Sequence, residues 1–109
     1  MAISEGQKLR VICNFLKKIH ELDSEMSCNT AWMLALLGIA GDEGESPTAL
    51  ARELGVESSG PRRHADILGD RGRGGKEGLK LMTTEFDPHD LRRKKFVLTA
   101  AGRRFLAGV

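Results

Sequence analysis

At 109 residues, 40% apolar and 29% charged, the chain has the composition of one folded domain, which excludes disordered and fibrous classes. Its longest apolar run, AWMLALLGIA at residues 31–40, falls well short of a membrane span, and the N-terminus lacks the basic start and apolar core of a secretory signal. The net charge of +2 conceals an asymmetry: residues 1–57 carry five Lys/Arg against nine Asp/Glu (net −4), residues 58–109 twelve against six (net +6).

A basic second half points to an anionic partner, nucleic acid being the commonest, although a solvated surface gives the same imbalance. Ser4-x-x-Gln7 is a capping-box pattern and predicts a helix start. Leu9, Ile12, Leu16 and Ile19 then recur at three- and four-residue steps, and Val11, Phe15 and Leu22 widen the apolar stripe. Such width implies contacts on two sides, within the fold or with a second copy of the chain; a helix sunk in its own core explains it equally. Cys13 lies beside the stripe, where a small apolar residue is expected. It and Cys28 lack a Cys-x-x-Cys spacing, so both are read as reduced, buried structural thiols of a cytoplasmic protein rather than redox sensors.

After the polar break ELDSEMSCN, Ser27 or Asn29 is positioned to cap a second helix running through Trp32 to about Ala40. That segment is apolar nearly all round and is expected to be the central buried helix. The loop GDEGE (41–45) ends it, and Ser46-Pro47 predicts a third helix, PTALAREL, stopping at Gly55. Ser59-Gly60-Pro61 predicts a fourth, running to Gly69 or Gly72. Two short helices joined by a tight glycine-containing turn are the helix-turn-helix arrangement. The second would bring Arg62, Arg63 and His64 toward base edges; a helical hairpin with a basic solvated face fits the same spacing.

RGRGGKEG (71–78) is a basic, glycine-rich connector. Leu79, Leu81 and Thr83 alternate with Lys80, Met82 and Thr84 as a half-buried strand, and Phe96 and Leu98 alternate with Lys95 and Val97 as a second. DPHDLRRK forms the tip between them, and Thr99 caps a final short helix, AAGRRFLAGV. The predicted fold class is mainly α with a small β-hairpin wing, a winged helix-turn-helix. It forms a single domain over 1–109, with residues 1–23 as N-terminal helix and candidate dimerisation element and 28–109 as the core.

Two blocks of the sequence resemble the MarR family of winged-helix transcription regulators. Residues 50–72 follow the pattern Leu-Ala-x-x-Leu-Gly-(apolar) and then a recognition helix ending in Arg-Gly. Leu50, Ala51, Leu54, Gly55, Val56, Ser59, Arg63, Asp66, Leu68, Arg71 and Gly72 carry that match. Residues 87–102 follow the wing pattern D-P-x-D-x-R and a strand ending in Leu-Thr-x-x-Gly, through Asp87, Pro88, Asp90, Arg92, Lys94, Leu98, Thr99 and Gly102. The second block is the more specific. The resemblance implies sequence-specific binding of double-stranded DNA by a small transcriptional regulator, with repression by steric occlusion as the plainest mechanism. It implies Arg92 in a minor groove with Asp90 bracing it, and Ser58, Ser59, Arg62, Arg63 and Asp66 at a major groove or its flanking phosphates. Arginine suits both grooves, and the run Arg92, Arg93, Lys94, Lys95 would serve phosphate contacts that set affinity and salt dependence.

Pro61 and His64 stand where the family has apolar core residues. The sequence stops at Val109, where family members continue into a long final dimerisation helix, so the expected homodimer falls to the first helix. No enzyme, metal or cofactor is expected. His20, His64 and His89 lack ligand spacing, GDEGE is too short for a calcium loop, and the glycines of GRGGKEG are too irregular for a phosphate loop. No membrane partner is expected, and the sequence specifies no small-molecule effector. The competing reading is a winged helix used for protein–protein interaction, or for nonspecific DNA binding.

Overall fold

The computed structural model describes residues 3–57, 60–69 and 77–109. Within them lie helices α1 (Glu5–Leu22), α2 (Cys28–Ala40), α3 (Pro47–Leu54), α4 (Gly60–Leu68) and α5 (Ala100–Ala107). Strands β1 (Met82–Asp87) and β2 (Asp90–Leu98) form an antiparallel hairpin between α4 and α5. The connector at 70–76 and the serines at 58 and 59 lie outside the described residues.

Local chemistry starts the helices where the sequence marks them. The Ser4 hydroxyl accepts from the Gln7 N–H at 3.1 Å while the Gln7 side chain accepts from the Ser4 N–H at 2.9 Å, closing the capping box of α1. Ser27, rather than Asn29, caps α2 through the Thr30 N–H. Ser46 caps α3 with Pro47 in its first turn, and Thr99 caps α5 through the Gly102 N–H. Gly55, at φ 68°, adopts the left-handed conformation that ends α3 and turns the chain toward α4.

The core is built on α2, which packs against α3, α4 and β2. Met33, Leu34 and Leu37 are fully buried against Leu50 and Leu54 of α3, Leu68 of α4, and Leu81, Met82, Phe96 and Leu98 of the hairpin. Each such side chain contributes roughly 1.5–3 kcal/mol of transfer free energy. Trp32 and Ile39 lie on the other side of α2 and are exposed, Ile39 at 82%; α2 is central but buried on one face only. Helix α1 stands away from this core: Ile19 is buried, whereas Leu9, Val11, Ile12 and Leu16 are each more than half exposed. Its stripe is therefore not explained by burial within the fold. Cys13, on the same helix, is exposed, as is Cys28 at the first residue of α2. The expectation of two buried thiols is corrected, because neither position has a packed neighbour layer over it.

The hairpin departs from the expected alternation. The N–H groups of Leu79, Lys80 and Leu81 donate to the carbonyls of Ile67, Gly69 and Leu68, holding this segment along the end of α4 before any strand begins. Lys80 takes φ 57°, the one positive value for a non-glycine among the described residues. The phase shifts there, so β1 starts at Met82 and both Leu81 and Met82 are buried, with Thr83 outward. In β2, Phe96, Val97 and Leu98 are all buried. The base of the hairpin is covered by Glu45, whose N–H and carbonyl pair with those of Phe96 at 2.9 and 2.8 Å as a one-residue third strand. The turn is shorter than DPHDLRRK: Pro88 and His89 alone link the strands, and the cations belong to β2.

Gly102 sits directly over the Leu81 carbonyl, so a Cβ there would collide with backbone. Gly102→Ala is expected to lower the unfolding free energy by about 1–3 kcal/mol, measured by chemical denaturation; a variant as stable as the parent would show that α5 moves aside freely.

Candidate nucleic-acid interface

Helices α3 and α4 pack together as a helix-turn-helix whose turn is closed by bonds from Val56 N–H to the Ala51 carbonyl and from Gly60 N–H to the Glu57 carbonyl. Pro61, Ile67 and Leu68 face the interior, and Arg62 and Arg63 face solvent, with Asp66 half-buried. The apolar positions thus orient the helix, and the arginines fall on its outer side. Ser58 and Ser59, assigned to the same surface from sequence, lie outside the described residues.

His64 occupies a different place from its neighbours. It is half-buried, and its Nδ1 lies 2.8 Å from the Thr30 hydroxyl of α2, which in turn lies 2.8 Å from the Ser27 hydroxyl. Thr30 is the one fully buried polar side chain among the described residues. Pro61 and His64 therefore do fill core-facing positions, the histidine satisfying by hydrogen bonding a position the family fills with an apolar side chain. Its Nδ1 is turned toward α2 rather than outward with the arginines. Burial, and then the adjacent Arg63 cation, lower the His64 pKa from the ordinary 6.5.

On the wing, Arg92, Arg93 and Lys94 are exposed and Lys95 is half-buried. Lys95 Nζ lies 3.8 Å from Glu85, its cross-strand partner, and Lys94 Nζ stands 5.9 Å above the ring of its own partner, Phe86. Between Phe86 and Asp87 the register shifts: Phe86 pairs with Lys94 but Asp87 pairs with Asp90, leaving residues 91–93 as a bulge that carries both arginines. Asp90 lies in β2 beside them.

The structure brings this basic strand to a segment that sequence reasoning left out. An open cleft of about 730 Å³ is lined on one side by Ser46, Pro47 and Thr48 at the start of α3, and on the other by Pro88, His89 and the four cations. Helix N-termini carry partial positive charge, so both walls favour an anion such as a phosphate. The helix start at Ser46-Pro47 was legible, but its proximity to residues 88–95 follows from the Glu45–Phe96 pairing, which leaves no side-chain signature.

No protein-family model matches the chain, and no curated protein does. Solved structures do. An S. aureus MepR–DNA complex aligns with TM-score 0.67 at 20% identity, covering 91% of this chain and 76% of that one. CouR, a transcriptional repressor bound to a 23-mer DNA duplex, aligns with TM-score 0.59 at 28% identity over 92% of this chain and 62% of its own. A probable transcriptional regulator from Pseudomonas aeruginosa gives 0.61 at 22% identity, over 95% and 72%. The structural neighbours over most of the chain are thus MarR-family regulators, and the fold is their winged helix. They are transcription regulators, not enzymes. No helix among the described residues is long and apolar enough to cross a membrane.

Because the His64 pKa is lower in the folded chain, the unfolded chain takes up the proton first as pH falls. Stability is therefore expected to decline as pH drops below about 6.5 and to level off under the folded pKa. Denaturant unfolding at a series of pH values checks this. His64→Gln should remove that part of the dependence, and an identical pH profile in the variant would rule out the linkage.

Proposed function

We propose that the chain is a sequence-specific double-stranded DNA-binding transcriptional regulator of MarR type, acting as a repressor by occluding its site, as a cytoplasmic homodimer. The carrying observation is a helix-turn-helix that turns Arg62 and Arg63 to solvent, in contact with a hairpin bearing four consecutive cations. The DNA-bound state of the MepR and CouR neighbours supports the reading. In it, Arg62 and Arg63, with Ser58, Ser59 and Asp66, meet the major groove or its phosphates, and His64 positions their helix from behind. Arg92 enters a minor groove, braced by Asp90. Arg93, Lys94 and Lys95 meet phosphates, one of which the cleft beside α3 receives. Neutralising these phosphates releases counterions, so affinity falls steeply with salt.

The exposed stripe Leu9–Ile12–Leu16 supports pairing of α1 with α1 of a second copy, which would set two recognition helices against half-sites one helical turn apart. The same stripe, with Trp32 and Ile39, is what a protein-interaction module would also present. Salt separates the two: an apolar contact is nearly insensitive to it.

Selection of genomic fragments on the purified protein at physiological salt should enrich an inverted repeat; no enrichment overturns the reading. Arg63→Ala and Arg92→Ala should each weaken binding to that fragment at least about tenfold, roughly the 1–3 kcal/mol of one groove contact, with melting unchanged. Wild-type affinity in both would remove the groove assignments. Leu16→Glu, at an exposed position, should yield a folded monomer by light scattering, and a persisting dimer would place the interface elsewhere.

A further inference from the structure

Phe86 is a large aromatic side chain outside the core. It is 52% exposed and belongs neither to the core nor to the apolar residues packed against it. The other exposed large apolar side chains lie on α1, just before it, or on α2. Among the described side chains, Phe86 is the one exposed large apolar residue on the wing. The reason lies in the strand pattern. Met82, Thr84 and Phe86 share one face of β1, with Leu98, Phe96 and Lys94 as their cross-strand partners. Met82 and its partner Leu98 are in the core; by Phe86 the hairpin has run past the body of the domain. Beyond the exposed Thr84 the same face ends in Phe86, next to the register shift that carries Arg92 and Arg93.

We infer that Phe86 is a DNA-contacting wedge, entering the minor groove beside Arg92 and opening a base step so that the duplex bends; the inference rests on the DNA-binding function proposed above. Proteins that work in the minor groove repeatedly place an apolar side chain among cations for this purpose, because the groove walls are deoxyribose and the cations supply the phosphate contacts. The geometry here has both parts. Lys94 Nζ lies over the Phe86 ring at 5.9 Å, a contact that partly covers the ring in the free protein. A phosphate competes for that ammonium far more strongly than a ring does. As Lys94 turns to the backbone, the ring is uncovered toward the groove, and its apolar surface leaves water there. Lys94 thus contributes the salt-dependent part of the contact and Phe86 the salt-independent part.

The fragment recovered by selection is used for titrations across salt concentration and for circular-permutation electrophoresis, which reads the bend. Wild-type protein bends the fragment. Phe86→Ala binds about tenfold more weakly, with the slope of log K against log salt unchanged and the bend lost. Phe86→Leu, an apolar side chain of similar reach, keeps the bend. Lys94→Ala keeps the bend and lowers the slope by about 1. Wild-type affinity and bend in Phe86→Ala overturn the inference, as does a straight fragment under wild-type protein. In either case the DNA reading still stands if Arg92→Ala loses binding. A selection that recovers no fragment overturns that reading and this inference together.

Discussion

The residue Leu81 ties α4, the wing and the last helix to one another. Its N–H donates to the Leu68 carbonyl at the end of α4 at 2.7 Å, and its carbonyl accepts from the Thr99 N–H at 3.0 Å. The Thr99 hydroxyl donates to the Lys80 carbonyl at 2.8 Å and accepts from the Gly102 N–H at 3.1 Å, so its donor and an acceptor site are both used. Gly102 lies against the Leu81 carbonyl with no room for a side chain. The Leu-Thr-x-x-Gly pattern is therefore a steric specification. Leu98 fills the core, the threonine is both cap and clasp, and the glycine permits close approach of helix to backbone. Since residues 79–81, which lead directly into β1, are bonded to the end of α4 and to Thr99, backbone hydrogen bonds hold the base of the wing against α4.

On that fixed hairpin, strand geometry decides what four consecutive cations can do. Neighbouring residues of a strand point to opposite faces. Lys94 accordingly sits over Phe86 on one side while Lys95 meets Glu85 on the other. A run that reads in sequence as a single block of charge thus divides its two lysines between the two sides of the strand, while the two arginines sit in the bulge. In the proposed complex the lysines would meet phosphates on different sides of the wing. Pairing with Glu85 offsets little, since exposed ion pairs are worth well under 1 kcal/mol.

What the sequence made legible was local. Capping by Ser4, Ser46 and Thr99 depends on residues within three positions, and each helix begins where those residues say. The presence of a hairpin was legible because Asp87-Pro88 marks its turn within the local sequence. Most of the misreadings involve distant partners. The start of β1 depends on bonds to residues 67–69, and Glu45 pairs with Phe96 through backbone alone, so its acidic side chain gives no hint of a strand. His64 reads in sequence both as an outward base beside the arginines and as a residue at an apolar core position, and what decides between them is Thr30, 34 positions away. Cys13 has the size and neighbours of a core residue; only the position of α1 relative to the core decides its exposure.

The position of α1 also bears on how a dimer would hold its DNA-contacting elements. Within its own fold α1 is anchored near its C-terminal end, through buried Ile19 and half-buried Phe15, and Lys18 reaches Gly108 at the end of α5. A cation at that end complements the helix dipole of α5. Helix α5 begins at the Thr99–Gly102 clasp, and the clasp holds Leu81, to which both α4 and the wing are bonded. In the proposed dimer the apolar stripe of α1 would meet its two-fold mate, each contact occurring twice. Within each copy, α1 would then be linked to the DNA-contacting elements through the Lys18 side chain at the end of α5 and the Thr99–Leu81 hydrogen bonds at its start. A chain whose α1 stripe is not buried in its own core can offer that helix to a partner without disturbing the packing of α2, α3, α4 and the hairpin.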